Sequence, residues 1–238
     1  MDLTALQIAD PETLLNDLAP RIRQGGSIEQ ASTLLCETLY DRCLKGAERS
    51  LVLSRVYLSL PYSSLDGGGA LFARETFGIS PKPTDLFLCL VGTWGDQEEW
   101  RDLRRSKGHR AIPLNRETVT TVPMLARCFQ QIGFDLDVVL AGEKGIHLEG
   151  VSRAFGLFHV EEAQGSPYIP AQDGFVRPLG VRSAVGCGTM LPNGAVSIWI
   201  GFSRHAVTAS SALALVPLMP AFWMYASALY RRGALYAR

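Results

Sequence analysis

Alternation of apolar and polar residues predicts a β-hairpin in the second half of the chain. The run 195–204 has the period of two that is expected of a strand with one buried face. Its alternating apolar residues are Val196, Ile198, Ile200 and Phe202. A second apolar run, 181–190, precedes it, and the tetrapeptide Leu191-Pro192-Asn193-Gly194 between the two is typical of a tight turn. We therefore predict two antiparallel strands that share one core face.

Helical spacing of apolar residues predicts two amphipathic helices at the start of the chain. The first begins near Asp10 and Pro11, because an acceptor side chain and a proline favour the first turn of a helix, and it ends at Gly25. The second begins at Ser27, which forms a capping-box pattern with Gln30, and runs to about residue 44.

Shorter elements are predicted between these helices and the hairpin. Residues 50–60 and 85–94 are rich in apolar and β-branched side chains, which favours strands. The segment 61–69 between them is predicted to be a loop that ends in three glycines. Weaker patterns predict, in chain order, a helix over 71–77, a strand over 111–114, a helix over 122–132, turns over 135–150 and a strand over 154–160.

A loop rich in proline and glycine, 165–180, lies directly before the hairpin. Loops beside a rigid sheet often line pockets, because they tolerate the irregular backbone that binding sites need. The candidate binding residues in and around this loop are His159, Ser166, Tyr168, Gln172, Arg177 and Arg182. Arginine can pair with a carboxylate or phosphate, and tyrosine and glutamine can orient a polar ligand. In the alternative interpretation both arginines are surface or salt-bridged residues and Tyr168 packs between the neighbouring prolines.

The segment 206–230 has no charged residue and is long enough to cross a bilayer. Pro217 and Pro220 interrupt it, and several hydroxyl side chains dilute its hydrophobicity. We predict a buried helix that is kinked at the prolines, with part of its apolar face against a second subunit. A tail anchor remains the alternative.

Charge and composition narrow the classes of function. Lysine plus arginine and aspartate plus glutamate number 23 each among 238 residues, so no net field attracts nucleic acid. The basic run 101–110 could bind an anion, but it follows acidic residues and has no interleaved aromatic residues for base stacking, which favours a solvated loop. The N-terminal segment has no basic region followed by a long apolar core, which predicts no signal peptide and a cytoplasmic protein.

The cysteines and histidines give no pattern of catalysis or metal binding. The five cysteines lie mostly in apolar runs without a CxxC pair, which predicts buried free thiols. The four histidines have no metal-ligand spacing with one another or with a cysteine, so we predict no metal site. GxSxG, Walker A and GxGxxG motifs are absent from the sequence.

The order of the predicted elements resembles that of the GAF domain. The resemblance is carried by Gly180-Val181-Arg182-Ser183, a strand, Leu191-Pro192-Asn193-Gly194 and another strand, and it covers residues 27–230. The runs 104–114 and 166–172 are similar to those in GAF-like regions that precede bacterial signalling modules. The resemblance implies an α+β fold with an antiparallel sheet of five or six strands, helices packed on one face and a small-molecule pocket on the other.

The resemblance also implies how the chain is organised and what it does. It implies a single domain, with an N-terminal helix over 1–26, a core over 27–204 and a C-terminal helix over 205–238. We therefore predict a sensory or regulatory domain that binds an unidentified small molecule between the sheet and the loop 158–182. Its state would be transmitted through a homodimer or to a separate signalling output protein. No cofactor is predicted, although some GAF domains bind haem, and His159 is then the candidate axial ligand.

Two alternatives remain open at this point. A GAF-fold enzyme that reduces free methionine sulfoxide uses cysteines, so a thiol-dependent redox enzyme is the first. Its candidate is Cys187, which is also a candidate pocket residue because Gly186 and Gly188 on either side permit close approach of a ligand. The second alternative is a ligand-free interaction module, in which Tyr168 and Trp199 fill the pocket.

Overall fold

An antiparallel six-stranded sheet forms the centre of the protein. The computed structural model describes residues 1–106, 108–142 and 155–237. The strands are β1 (Leu44–Lys45), β2 (Glu48–Arg49), β3 (Leu51–Pro61), β4 (Leu86–Gly95), β5 (Ala111–Pro113), β6 (Phe155–Val160), β7 (Ser183–Met190) and β8 (Val196–Ser203). β1 and β2 pair separately, and the main sheet has the order β5-β4-β3-β8-β7-β6. The predicted α+β fold with a five- or six-stranded antiparallel sheet is confirmed.

Helices lie on both faces of this sheet. They are α1 (Ala9–Gln24), α2 (Ile28–Arg42), α3 (Gly67–Phe77), α4 (Arg116–Thr121), α5 (Pro123–Ile132), α6 (Leu136–Ala141), α7 (Ala209–Leu213) and α8 (Leu218–Arg231). The terminal helices α1, α2 and α8 pack together on one face, which we call the helical face. The opposite face, which we call the cavity face, is covered by α4, α5 and the loop before β7.

Strand β8 divides its side chains between the two faces as the alternation predicts. Val196, Ile198, Ile200 and Phe202 belong to the core of the cavity face. Trp199 points to the helical face, where it is 0% exposed and its Nε1 donates a hydrogen bond of 2.9 Å to Ser54 Oγ. Trp199 therefore belongs to the core of the helical face.

Two glycines allow helices to lie directly on the sheet. A Cβ added to Gly92 of β4 would lie 2.5 Å from the carbonyl carbon of Ser32 in α2. A Cβ added to Gly156 of β6 would lie 2.2 Å from the carbonyl oxygen of Ile132, the last residue of α5. Both distances are far below van der Waals contact with backbone atoms, so a side chain at either position would separate helix from strand.

The apolar segment near the C-terminus is packed against the protein. Ala209–Arg231 is long and apolar enough to cross a membrane, and half of its most apolar window is buried inside the fold. Its large buried residues on the helical face are Leu215, Leu218, Met219, Phe222, Trp223 and Leu229. This packing agrees with the interpretation as a buried helix. The helix is interrupted at Pro217, where the break between α7 and α8 ends, whereas Pro220 lies in the first turn of α8.

The residues after α8 form a C-terminal segment, 233–237, that turns back and crosses the start of α2. The backbone N–H groups of Ile28 and Glu29 donate to the carbonyls of Ala234 and Leu235 at 2.8 and 2.9 Å. The N–H of Ala237 in turn donates to Glu29 Oε2 at 2.7 Å. This C-terminal segment thus satisfies N–H groups that the first turn of a helix leaves without an intrahelical partner.

Some local elements differ from the sequence prediction. The three glycines at 67–69 begin α3 instead of closing a loop, because Asp66 caps the helix by accepting a hydrogen bond of 2.8 Å from the N–H of Gly69. The predicted helix 122–132 is preceded by a further short helix, α4, which Asn115 caps. Helix α6 lies where only turns were predicted, and residues 143–150 of that prediction lie outside the described residues.

Candidate functional site

A largely apolar cavity of about 110 Å³ lies between the cavity face of the sheet and α5. Its floor is formed by the sheet residues Arg55, Tyr57, Leu88, Ile198, Ile200 and Phe202, together with Ile112. Its roof is formed by Val122, Met124, Leu125 and Cys128, and His109 completes the lining. The strand alternation places the floor residues on this face, and α5 turns an apolar side toward them.

Among the described residues that line the cavity, Arg55 is the one lysine or arginine, and none is an aspartate or glutamate. Its guanidinium donates only long hydrogen bonds, of 3.5 Å to the hydroxyl of Tyr57 and 3.3 Å to Ser106 Oγ. Its Nε is buried without a partner. Within the described part of the chain, no carboxylate forms a salt bridge with Arg55. A partly buried cation without a counter-ion is costly, which makes this residue unusual.

His109 adds a second polar group with an unusual backbone. Its φ of 60° is the one positive value for a residue other than glycine in the described chain. Such a conformation costs of order 1–3 kcal/mol and is found preferentially at functional sites. Partial removal from water, and then the positive charge of Arg55, lower the pKa of His109 below its usual value. The neutral imidazole can therefore donate or accept a hydrogen bond near neutral pH.

Cys128 is the one thiol that lines the cavity. Burial raises its pKa well above the usual value for a thiol, so the protonated form dominates at neutral pH. All five cysteines are free and buried, as the sequence predicts. Cys187, the candidate chosen from the sequence, lies on the helical face, where burial likewise raises its pKa. It does not line the cavity.

Three of the candidate binding residues come together in a second place, an open polar groove of about 480 Å³. His159, Ser166 and Tyr168 line it, together with Arg127 of α5. The guanidinium of Arg127 lies 4.9 Å from the ring centroid of Tyr168. The Nε2 of His159 lies 2.7 Å from the carbonyl oxygen of Val207, so it carries the proton and donates it there.

The remaining loop candidates make contacts within the loop or at its surface. The side-chain amide of Gln172 accepts a hydrogen bond from the N–H of Gly165 and donates to the carbonyls of Ala163 and Ile169 at 2.9 and 2.6 Å. It therefore holds the loop in shape. Arg177 pairs with Asp173, and Arg182 pairs with Glu162, both on the exposed surface. A binding role for these residues stays a prediction.

The basic run before β5 is largely paired with acidic groups, as the solvated-loop interpretation expects. Arg105 pairs with Glu98. Arg104 forms a bidentate salt bridge with Glu29 of α2, in which its two terminal guanidinium nitrogens lie 2.5 and 3.2 Å from the two carboxylate oxygens. Within residues 1–106, 108–142 and 155–237, no group of three or more histidine, cysteine or acidic residues is arranged to hold a metal ion.

Sequence reasoning did not identify Arg55, His109 or Cys128 as neighbours. Arg55 is the only charged residue inside the predicted strand 50–60, and a charge in the middle of an otherwise apolar strand was the available signal. His109 lies 54 positions after Arg55, in a predicted loop, and Cys128 lies 73 positions after it, in a predicted helix. Only the tertiary fold brings these residues to one cavity.

Comparison with known proteins identifies the fold. No protein-family model matches the chain, and a search of curated proteins gives no match. Among solved structures, it is similar to free methionine-R-sulfoxide reductase from Neisseria meningitidis, solved in complex with its substrate. The TM-score is 0.50 and the sequence identity 15%, over 96% of this chain and 99% of that one. At this identity the similarity concerns architecture, and the chain has a GAF-like α+β fold.

Proposed function

We propose that this protein is a GAF-like sensory or regulatory domain that binds a small molecule in the cavity between the sheet and α5. The observation that supports this most directly is the cavity itself, with Arg55, Tyr57 and His109 on otherwise apolar walls. A few convergent polar groups in an apolar pocket are typical of small-molecule sites. Its volume of about 110 Å³ is below the ~300–1,000 Å³ of most ligand pockets, which favours a small ligand.

A series of contacts could carry the occupancy of the cavity to the surface. Arg55 on the floor contacts Ser106, which follows Arg104 in the same short segment. Arg104 pairs with Glu29, and Glu29 also holds the C-terminal segment through Ala237. A ligand that engages Arg55 would compete with its bond to Ser106 and thereby favour another arrangement of this segment. A second subunit of a homodimer, or a separate output protein, would then respond to the changed arrangement of the terminal helices.

Filling the cavity is expected to abolish ligand binding. Val122→Phe adds an aromatic ring to the cavity roof, at a residue that is partly exposed and has extended backbone. The melting temperatures of wild type and variant are measured with millimolar butanol, butyramide, butyrate and butylamine. At least one compound should stabilise the wild type, by about 2–4 °C for each kcal/mol of binding free energy, and none should stabilise the variant.

The matched control is Leu213→Phe, which places a phenylalanine at an exposed position of α7, away from the cavity. It should respond to the compounds as the wild type does. An equal response of Val122→Phe, or no response of the wild type to any of the four compounds, would contradict a small-molecule site here.

A thiol-dependent redox enzyme is a second candidate, and Cys128 in the cavity wall is the observation that favours it. In that reaction the Cys128 sulfur would take the oxygen of a sulfoxide, releasing a sulfide and leaving a sulfenic acid. A dithiol such as dithiothreitol would then reduce the sulfenic acid, with release of water and oxidation of the dithiol. The raised pKa of Cys128 opposes this reaction at neutral pH, because the thiolate is the nucleophile.

The redox candidate predicts an activity that depends on one cysteine. Free methionine sulfoxide and dithiothreitol are incubated with wild type, Cys128→Ser and Cys187→Ser, and the methionine formed is measured. Enzymatic reduction should rise with pH as the thiol ionises, be lost in Cys128→Ser and persist in Cys187→Ser, because Cys187 lies on the helical face. Methionine formation no faster than in a protein-free control would reject this candidate.

A further inference from the structure

Arg55 is a positive charge in the floor of an apolar cavity, and among the described residues it has no negative partner. Arg104, Arg105 and Arg110 each have a carboxylate within salt-bridge distance, and Arg127 stacks on an aromatic ring. Arg55 has only two hydroxyl contacts longer than 3.2 Å, and its Nε is buried without a hydrogen bond, as are the Nε atoms of Arg110 and Arg127. Because guanidinium groups out of bulk water are normally paired, this arrangement leaves room for an anion from outside the chain.

The surroundings of Arg55 restrict the kind of anion. A planar guanidinium matches a carboxylate through two parallel hydrogen bonds, and one arginine balances one negative charge. The remaining floor and roof are mostly aliphatic and thioether side chains, including Ile198, Ile200 and Met124, which favour an apolar group on the ligand. The neutral His109 and the hydroxyl of Tyr57 add at most a few hydrogen bonds.

The size of the cavity restricts the ligand further. The cavity volume of about 110 Å³ is well below the ~300–1,000 Å³ of most ligand pockets, so the cavity favours a ligand of few heavy atoms. A carboxylate attached to two or three carbon atoms is a ligand of this kind. A nucleotide or another phosphate ester would need more room and more positive charge than Arg55 alone provides.

We propose that the cavity binds a short monocarboxylate, with its carboxylate paired to Arg55 and its aliphatic chain against Ile198, Ile200 and Met124. The inference rests on the proposed function, since it names the ligand class of the same cavity. It assigns to Arg55 the role of charge-recognising residue, and it makes the apolar wall the determinant of chain length.

The test compares ligands of equal size and different charge on the full chain. Affinities for butyrate, butyramide and butylammonium are measured by isothermal titration at constant ionic strength. Butyrate should bind the wild type at least tenfold more tightly than butyramide, and butylammonium should not bind. Hexanoate should bind more weakly than butyrate, because its chain exceeds the cavity. Inorganic phosphate should not displace butyrate.

A matched pair of variants tests the role of Arg55. Arg55→Gln should lose at least tenfold in affinity for butyrate while its affinity for butyramide changes little. Arg42→Gln, which removes an exposed arginine of α2 outside the cavity, should bind both as the wild type does. The comparison of ligands on the wild type needs no variant, so the inference remains testable if Arg55→Gln folds poorly.

The outcomes separate this inference from the proposed function. Equal binding of butyramide and butyrate, displacement by phosphate, or unchanged butyrate affinity in Arg55→Gln would overturn the carboxylate assignment and leave a small-molecule cavity in place. If neither these three compounds nor butanol binds the wild type, both the carboxylate assignment and the small-molecule cavity are overturned.

Discussion

Replacing Trp199 by alanine is expected to lower the free energy of unfolding by about 3–5 kcal/mol, the usual cost of removing a buried large aromatic side chain. Trp199 is the largest fully buried side chain of the described residues and packs on the helical face of the sheet. A Cβ added to Gly201 would lie 2.7 Å from the Trp199 ring, so the chain is fitted closely around it. The loss of its hydrogen bond leaves Ser54 Oγ without that donor and adds to the cost.

Chemical denaturation measures this loss directly. Met224→Ala is the control, because Met224 lies on α8 but is 76% exposed, and it should change stability by less than about 0.5 kcal/mol. Because Trp199 lies across the sheet from the cavity, the folded fraction of Trp199→Ala should still bind cavity ligands. A loss of stability below about 1 kcal/mol would show that Trp199 is not packed as described.

Replacing Gly156 by alanine is expected to destabilise the protein by about 1–3 kcal/mol and to disturb the cavity as well. The added methyl group would collide with the backbone of Ile132, which cannot rotate away as a side chain could. Helix α5 must therefore move away from β6. Since α5 carries Met124, Leu125 and Cys128 of the cavity roof, its displacement should open the cavity and weaken ligand binding.

Gly174→Ala is the matched control for this change. No atom lies within 4 Å of a Cβ built at Gly174, and its φ is not in the left-handed region, so the same substitution should cost little there. Thermal denaturation and titration with butyrate, on both variants, give the two readouts. Wild-type stability in Gly156→Ala would indicate that α5 does not lie directly on β6.

The sheet could be predicted from the sequence because its strands carry their own pattern. The run 195–204 alternates with a period of two, and the observed strand buries the predicted residues on the cavity face. The tight turn at Leu191–Gly194 joins β7 to β8 as predicted, and α2 begins at its predicted cap, Ser27. The predicted cap of the first helix was wrong, because α1 begins at Ala9 without a side-chain cap and Asp10 lies inside it. These features depend on neighbours within a few positions, which local reasoning can evaluate.

The cavity could not be predicted in the same way, because its residues are distant in the chain. Arg55 lies in a strand, His109 lies in a polar loop and Cys128 lies in an apolar helix. No pattern within a few positions of the sequence relates these three residues. The composition of the loop 165–180 predicts a binding site. In the structure Gln172 supports the loop backbone, and Arg177 and Arg182 form salt bridges with carboxylates at the surface. A polar side chain in a loop serves folding as readily as binding, and composition does not separate the two.

The C-terminal segment that crosses the start of α2 makes two backbone amides into reporters of its position. The amide hydrogens of Ile28 and Glu29 can exchange with deuterated solvent only when the carbonyls of Ala234 and Leu235 leave them. Their exchange rates therefore measure how often the C-terminal segment detaches from α2. If the contacts from Arg55 through Ser106, Arg104 and Glu29 transmit ligand binding, butyrate in the cavity will change the deuterium uptake of these two amides.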